Sequence, residues 1–240
     1  MDWRDEGFIL RTTKHGETSL LVSILTKDHG RHMGITRKSR SSKMSSGLQL
    51  GNRTSVEWKA RLPEHLGTWK LETISSPFSA LMDQPGPLTA LTSALSLCDS
   101  VLPERESLPC LFQQMSEVVS ALSSPTWLQA YIRFEVHLLK ELGFSLDLEK
   151  CAVTKEVENL TYVSPKTGCA VTKETGEPYK DRLFPLPAFL GPAYNDSKEI
   201  SDTEYVQGLQ LTGYFLEKCV LSTKDLSLPS SRHRLMGYVR

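Results

Sequence analysis

The feature that most constrains the fold is a change of hydrophobic pattern near residue 80. Before it, short runs rich in β-branched and leucine side chains alternate with turn residues, which is typical of β-strands. Beyond it, apolar side chains recur every three or four residues, as on the buried face of a helix. Pro85, Gly86 and Pro87 predict a linker that ends on a helix start. The sequence therefore predicts an α+β chain with a β-rich domain over residues 1–80 and a helical domain over residues 81–240.

Five strands are expected in the first domain. They are predicted at residues 8–12, 19–26, 31–36, 54–58 and 69–74. Turn residues separate the runs, namely Gly16, Gly30, Gly51 with Asn52, and Gly67. Five short strands in a domain of this size are typical of an OB-fold, a small Greek-key β-barrel that often binds nucleic acid. We therefore predict an N-terminal OB-fold barrel.

Helical periodicity covers most of the second domain. Helices are predicted at residues 88–101, 108–122, 125–143 and 203–222. The third is apolar over a wide arc, so we expect it at the centre of the domain. Residues 151–182 break the pattern with polar side chains and a turn at 164–168. We predict a small irregular hairpin there, inserted between helices.

Charge is distributed unevenly along the chain. The total of 28 basic and 28 acidic residues argues by itself against a nucleic-acid-binding protein. Residues 1–80, however, hold 13 Lys and Arg against 8 Asp and Glu, a net charge of +5, and residues 81–240 hold 15 against 20, a net charge of −5. Such asymmetry indicates two surfaces with different partners.

A basic run at residues 36–43 is the main candidate for DNA binding. It carries four cations and three serines directly after a predicted strand, a composition suited to contacting phosphates. Further cations lie elsewhere in the same domain. The predicted DNA-binding residues are Arg31, Arg37, Lys38, Arg40, Lys43, Arg53, Lys59 and Arg61. The alternative is a solvated basic loop without a ligand.

Two tryptophans on predicted strands, Trp58 and Trp69, have the chemistry to stack on bases. Core packing is the favoured interpretation, because large aromatic side chains on strands are usually buried.

A zinc ribbon is the other motif suggested by the predicted hairpin. Cys151 to Thr154 and Cys169 to Thr172 form two copies of C-x-x-T. Structural zinc needs four ligands, usually two C-x-x-C pairs, and threonine is a poor substitute. We therefore predict a degenerate ribbon without metal.

No enzyme motif or cofactor motif stands out. The sequence lacks the P-loop, dinucleotide-binding, nucleophile-elbow and H-E-x-x-H patterns. The odd number of cysteines, the acidic N-terminus and the lack of a long apolar stretch predict a cytoplasmic protein with reduced thiols. We expect no enzyme activity, no cofactor and no membrane.

Four segments, in order, resemble the bacterial DNA repair protein RecO family. The first, at 6–30, contains EGFILR, GETSL and LT..HG, and the second, at 48–67, contains LQLGN, WKAR and EHLG. The third is RFE..LL..LGF at 133–144, which is followed by Cys151, and the fourth is LPSSRHRL at 228–235. The resemblance covers nearly the whole chain. It implies an OB-fold, a helical domain and a non-enzymatic role as a recombination mediator in a bacterial, nucleoid-associated setting.

The resemblance also implies partners. Such proteins bind single- and double-stranded DNA, anneal complementary strands, and with RecR help load RecA onto DNA coated by the single-strand-binding protein SSB; RecF is a further candidate. The SSB tail is acidic with an apolar end, so it requires a cation beside an apolar pocket. Arg133 is the candidate, and the alternative is that Arg133 pairs with a carboxylate within the fold. Arg232 and Arg234 either reach DNA or cap the domain.

Two other functions remain open at this point. One is an OB-fold protein that binds RNA or the ribosome, which would share the basic barrel. The other is a hydrolytic enzyme with an unrecognised site in the helical domain.

Overall fold

The computed structural model describes residues 1–37, 48–62, 64–194 and 199–239. The chain divides into two compact units, residues 1–125 and 126–240. The first unit contains the predicted strands together with helices, and the second contains helices and a small sheet. The domain boundary expected at residue 80 rests on the change from strands to helices, and it stays a prediction.

A closed five-stranded barrel forms the centre of the first unit. Its strands are β1 (Asp2–His15), β2 (Ser19–Thr26), β3 (Gly30–Arg37), β4 (Arg53–Lys59) and β5 (Gly67–Ser75). They follow the order β1-β2-β3-β5-β4 around the barrel, with β3 and β5 parallel and the other neighbours antiparallel. The five predicted strands are confirmed. Strand β1 is longer than expected, because its polar first half pairs with β4 while its second half pairs with β2.

Aliphatic and indole side chains fill the barrel. The cluster consists of Ile9, Val22, Ile24, Val56, Trp58 and Trp69. Both indoles are buried and satisfied, since Trp58 Nε1 donates to the Met33 carbonyl at 3.2 Å and Trp69 Nε1 donates to the Val22 carbonyl at 3.1 Å. Core packing is therefore confirmed, and these two rings are not exposed for stacking on bases.

Two glycines make room for these indoles. A Cβ atom built on Gly67 would lie 2.2 Å from Trp58 Nε1, and one built on Gly34 would lie 2.6 Å from Trp69 Nε1. Real Cβ atoms do not approach so closely, and a packed barrel interior leaves the rings little space to move. Both positions therefore depend on glycine for packing rather than for backbone freedom.

Three helices complete the first unit, α1 (Pro77–Ala80), α2 (Pro85–Val101) and α3 (Pro109–Ala121). Each begins on a proline, which fits the first turn because a helix needs no backbone N–H there. Helix α2 packs against β1, and the Phe112 ring of α3 lies 5.2 Å from that of Phe8. These two helices thus pack against the β1 side of the barrel.

The second unit is built around α4 (Trp127–Glu141), whose wide buried arc confirms the predicted central helix. It also contains a small three-stranded sheet, so a third strand joins the predicted hairpin. The elements after α4 are β6 (Leu160–Val163), β7 (Ala170–Thr172), α5 (Lys173–Gly176), β8 (Phe184–Pro185), α6 (Asp202–Phe215), a π-helical turn (Leu216–Leu221) and α7 (Ser230–Arg234). Short 3₁₀ turns lie at Glu177–Arg182, Ala188–Leu190, Ser222–Lys224 and Leu235–Tyr238.

A buried ion pair joins the last helix to the central one. The Arg232 guanidinium donates to both Glu135 oxygens at 2.5 and 3.0 Å, and neither side chain is more than 3% exposed. Tyr131 and Thr212 hydroxyls also donate to this carboxylate. Burial alone would lower the pKa of Arg232, but the Glu135 carboxylate outweighs it and raises that pKa. Arg232 therefore has a structural role, and its alternative as a DNA contact is wrong.

Replacing Gly67 with alanine tests the fit of the barrel core. We expect Gly67→Ala to lower the free energy of unfolding by about 1 to 3 kcal/mol, because the new methyl group overpacks the Trp58 ring. Urea denaturation followed by fluorescence measures this. Gly237→Ala is the matched control, since a Cβ atom there meets nothing within 4 Å. Equal stability of the two variants would show that the barrel relaxes around the added methyl group.

Candidate nucleic-acid interface

The predicted DNA-binding cations fall into three groups. Arg37, Lys59 and Arg61 are exposed at strand ends or in the β4–β5 connection. Arg31 and Arg53 are partly buried. Lys38, Arg40 and Lys43 lie outside the described residues.

Arg31 already has partners within the first unit. Its Nε donates to the Leu102 carbonyl at 3.0 Å, and its terminal nitrogens lie 3.5 Å from Glu104 Oε1 and 3.9 Å from Asp99 Oδ1. Only 13% of its side chain is exposed. Arg31 therefore links β3 to the end of α2 through these contacts. Its role as a DNA contact stays a prediction.

Arg53 is held in a similar way. It forms a two-point pair with Glu6 at 2.7 and 3.2 Å, and its guanidinium carbon lies 5.8 Å from the centre of the Phe112 ring. This is a bidentate pair between the planar guanidinium and a carboxylate, so much of the charge of Arg53 is neutralised by Glu6. Its DNA-binding role also stays a prediction.

The strand register brings further cations beside Arg37. Residue Ser19 of β2 pairs with Arg37 on one side and with His15 on the other. Lys14 is the next residue along β1 and is exposed. Two strand spacings are roughly 10 Å, so His15 and Arg37 lie close together on one face of the sheet, and Lys14 points to the other face at the same strand ends. Sequence reasoning missed Lys14 and His15, although their position directly before the Gly16 turn is a usable signal.

Lys59 lies on the neighbouring part of this surface. It pairs with Thr68, which pairs in turn with Ile35, two residues before Arg37. We call Lys14, Arg37, Lys59 and Arg61 the rim cations. Within the described ranges none of the four forms an ion pair. Their charges are therefore available to an external anion.

The outer face of β1, β4 and β5 differs sharply in charge from the rim. Here Glu57 lies 3.5 Å from Arg4 and 4.0 Å from Lys70, and Lys70 lies 3.9 Å from Glu72. Charges of alternating sign offset one another at such distances. This face is less suited to a polyanion than the rim.

His32 is a buried titratable group inside the barrel wall. It is 6% exposed and packs edge-on against Trp3 at 5.0 Å and Trp58 at 5.5 Å. Its Nδ1 has no hydrogen-bond partner among the described residues. Burial, reinforced by the charges of Arg105 and His29, lowers the pKa of His32 to about 4. The ring is therefore neutral at neutral pH.

Arg133 of the second unit borders a cleft of about 580 Å³. Its guanidinium donates to the Phe189 carbonyl at 3.2 Å and lies 5.6 Å from the centre of the Tyr194 ring. The cleft is largely apolar on its other sides. Its lining includes Val136, Leu148, Val157, Phe189, Leu190 and Pro192, with His137 and Glu149 as polar members. A cation thus lies beside an apolar cavity.

The degenerate ribbon packs around a buried thiol. Cys151 Sγ lies 3.9 Å from the Thr172 hydroxyl and accepts the Thr154 N–H at 3.5 Å. Burial raises the pKa of Cys151, but hydrogen bonds from Thr154, Thr172 and Val153 outweigh it and lower that pKa to about 6. Thiol, hydroxyl and amide groups therefore contact one another where a ribbon would hold a metal.

No cluster of three or more His, Cys, Asp or Glu side chains able to hold a metal occurs in the described part of the chain. The expected lack of zinc stays a prediction. The described helices include none long and apolar enough to span a membrane.

Comparison with known proteins decides the family. The family model for the recombination protein O N-terminal domain matches residues 1–77, and the model for its C-terminal domain matches residues 83–227. The chain belongs to the RecO family. It is 42% identical to the DNA repair protein RecO of Rhodospirillum centenum over 243 residues, covering 100% of this chain and 95% of that relative.

Other members of the RecO family are similarly close. The chain is 42% identical to the DNA repair protein RecO of Cereibacter sphaeroides over 98% of this chain and 97% of the relative. It is 37% identical to that of Wolbachia pipientis wMel over 99% and 100%. These matches confirm the predicted family and the fold class, an OB-fold barrel followed by helices. They place the chain among the DNA repair and recombination proteins of bacteria.

Acid should destabilise the first unit through His32. An unfolded histidine titrates near pH 6.5, so between pH 6.5 and 4 the unfolded state binds more protons and stability falls as the pH falls. From pH 7 to 4.5 we expect His32 to account for a loss of about 2 to 3 kcal/mol. Urea denaturation at both pH values, for the wild type and for His32→Phe, measures the difference. Equal losses in both proteins would contradict a neutral buried His32.

Proposed function

We propose that this chain is a non-enzymatic recombination mediator. It binds single- and double-stranded DNA through the rim cations and the basic segment 37–43, and it anneals complementary strands. With RecR it helps load RecA onto SSB-coated DNA, with RecF as a further partner, in the cytoplasm at the nucleoid. The observation that carries the proposal is a group of exposed cations, without ion-pair partners among the described residues, on the OB-fold of a DNA repair family.

The proposed attraction to DNA comes from a local group of cations and not from the net charge of the first unit. The first compact unit as a whole holds 14 Lys and Arg against 13 Asp and Glu, because α2, α3 and their connections add acidic residues. The net charge of +5 counted over residues 1–80 is thus almost cancelled within the unit. The rim matters because its cations have no ion-pair partners in the part of the chain that the structure describes, whereas Arg31 and Arg53 are already paired with carboxylates. Binding through such phosphate contacts is independent of sequence and reversible, as annealing requires.

Annealing is the direct test of this function. Complementary oligonucleotides are coated with SSB, and the rate of duplex formation is followed by fluorescence energy transfer with and without the protein. We expect faster annealing with the protein. No acceleration would overturn the mediator proposal. Tighter binding to RNA than to DNA of the same sequence would favour the RNA-binding alternative, and turnover of phosphodiesters would favour an enzyme.

Salt dependence tests the DNA surface. Replacing Arg37, Lys38, Arg40 and Lys43 with alanine should weaken DNA binding and flatten the plot of log affinity against log salt by about 2 to 4. Replacing Lys14, Lys59 and Arg61 should flatten it by up to about 3. Fluorescence anisotropy over a salt series gives both slopes.

The matched control removes four exposed lysines of the second unit, Lys140, Lys150, Lys166 and Lys173, so the lost charge is the same. The control should keep the wild-type slope. If it flattens the slope as much as the first variant, the binding surface is not the barrel rim.

The Arg133 cleft is the proposed site for the SSB tail. An acidic peptide with an apolar end needs an apolar cavity and a cation at its edge, and the cleft offers both. The guanidinium is held in place by the Phe189 carbonyl and the Tyr194 ring, so little side-chain entropy is lost on binding.

Replacing Arg133 with alanine should weaken binding of a synthetic SSB-tail peptide about 10- to 100-fold, as expected for loss of a charge-assisted contact. Calorimetry on the full chain measures the affinity. Lys140→Ala, on the same helix and exposed, serves as the control. Unchanged affinity in Arg133→Ala would place the tail elsewhere on the protein.

A further inference from the structure

Three aromatic rings form a column from the barrel core to its surface. Trp3 stacks on Trp58 with ring centres 5.5 Å apart and planes inclined by 20°. His29 stacks on Trp3 with centres 3.9 Å apart and planes inclined by only 4°. Trp58 is fully buried, whereas a third of the His29 side chain is exposed. The outermost ring therefore faces solvent while the others anchor it.

The His29 ring is fixed in its orientation. Its Nδ1 lies 2.8 Å from Asp5 Oδ2, and this buried carboxylate also accepts backbone N–H groups from Glu6 at 2.7 Å and Asp28 at 2.9 Å. The His29 backbone N–H donates to the Thr26 hydroxyl at 3.2 Å. A ring held this firmly loses little freedom when a ligand stacks on it.

A cavity of about 250 Å³ lies against this column. It runs along the side of the column, and its lining consists of Trp3, His29, His32 and Trp58 together with Met1, Asp28, Arg105 and Ser107. The Nδ1 atom of His32 has no hydrogen-bond partner among the described residues, which is unusual for a buried polar group. The cavity therefore combines flat aromatic walls with a cation, and the Nδ1 atom of His32 lies buried behind those walls.

Arg105 is placed at the edge of the cavity by an uncommon backbone conformation. Its φ of 64° lies in the left-handed region, and its N–H donates to the Arg31 carbonyl at 2.8 Å. One terminal nitrogen donates to the carbonyls of Glu64 and His65 at 3.0 and 3.3 Å, yet the residue remains exposed. Non-glycine residues in this region are often held there by surroundings that serve a functional site.

We propose that one unpaired nucleobase of single-stranded DNA stacks on the outer face of His29, beside this cavity, with Arg105 contacting an adjacent phosphate. The base would continue the Trp58–Trp3–His29 column. This rests on the proposed DNA-binding function and goes beyond it. The site lies at the β2–β3 turn and the start of β1, and it adds base contact to the phosphate contacts of the rim.

The geometry selects single strands over duplexes. In a duplex both faces of each base are covered by neighbouring bases, so none is free to stack on His29. An unpaired base has free faces, and stacking on an aromatic ring tolerates any of the four bases. The rim cations would contact the phosphates of single strands and of duplexes equally well. Stacking on His29 would therefore raise the affinity for unpaired strands, and the base would be released as pairing proceeds.

Substitution of His29 tests the stacking platform. His29→Ala should weaken binding of a mixed-sequence 15-nucleotide single strand about 5- to 100-fold, the range for loss of one base stack. Duplex affinity and the salt slope should not change, because no phosphate contact is lost. His29→Phe should restore most of the single-strand affinity. His233→Ala, an exposed histidine of the second unit, is the control, and thermal unfolding confirms that each variant is folded.

Photo-cross-linking of the wild-type protein gives an independent readout. A single strand containing 5-iodouracil should cross-link to the peptides that carry Trp3 or His29, and an excess of unlabelled single strand should suppress the reaction. Cross-links confined to other peptides, or equal single-strand affinity for wild type and His29→Ala, would overturn the base site. If the wild type binds neither form of DNA, the proposed function itself fails.

Discussion

The close packing of two indole rings against two glycines underlies the rest of the first unit. Trp58 and Trp69 fill the barrel only because Gly67 and Gly34 bring no side chain into their space. With the rings in place, the parallel pairing of β3 and β5 closes the barrel. The ladders link the end of β4 through β5 to the second half of β3, and the end of β3 through β2 to the end of β1, where the rim cations lie. The position of these cations thus depends on how the core is filled.

Local sequence pattern predicted the elements well and their partners poorly. All five strands and the central helix of the second unit follow from periodicity and turn residues. Lys14 and His15 were missed because their proximity to Arg37 depends on strand register, which a single sequence does not specify. The sequence does not distinguish Arg31 and Arg53 from unpaired cations, because their carboxylate partners lie far away in sequence. Charge counting finds cations but does not show which are neutralised.

The two candidate sites differ in how far sequence reasoning reached. The family resemblance selects Arg133, and in the structure it lies beside an apolar cleft whose walls come from four separate segments. The aromatic column had no sequence signal at all, since Trp3, His29 and Trp58 are distant along the chain and follow no common motif. The pairing of β1 with β4 brings Trp3 beside Trp58, and the turn between β2 and β3 brings His29 onto Trp3.

The Glu135–Arg232 pair has a consequence for the order in which the protein forms during synthesis. Domains tend to fold as they leave the ribosome, N-terminal part first. The first unit is fully available once residue 125 has emerged. Glu135, at the heart of the second unit, meets its counter-ion only after a further 97 residues have been added. A buried carboxylate without its partner is strongly unfavourable. The second unit therefore completes its core last, after the barrel of the first unit already exists on the growing chain.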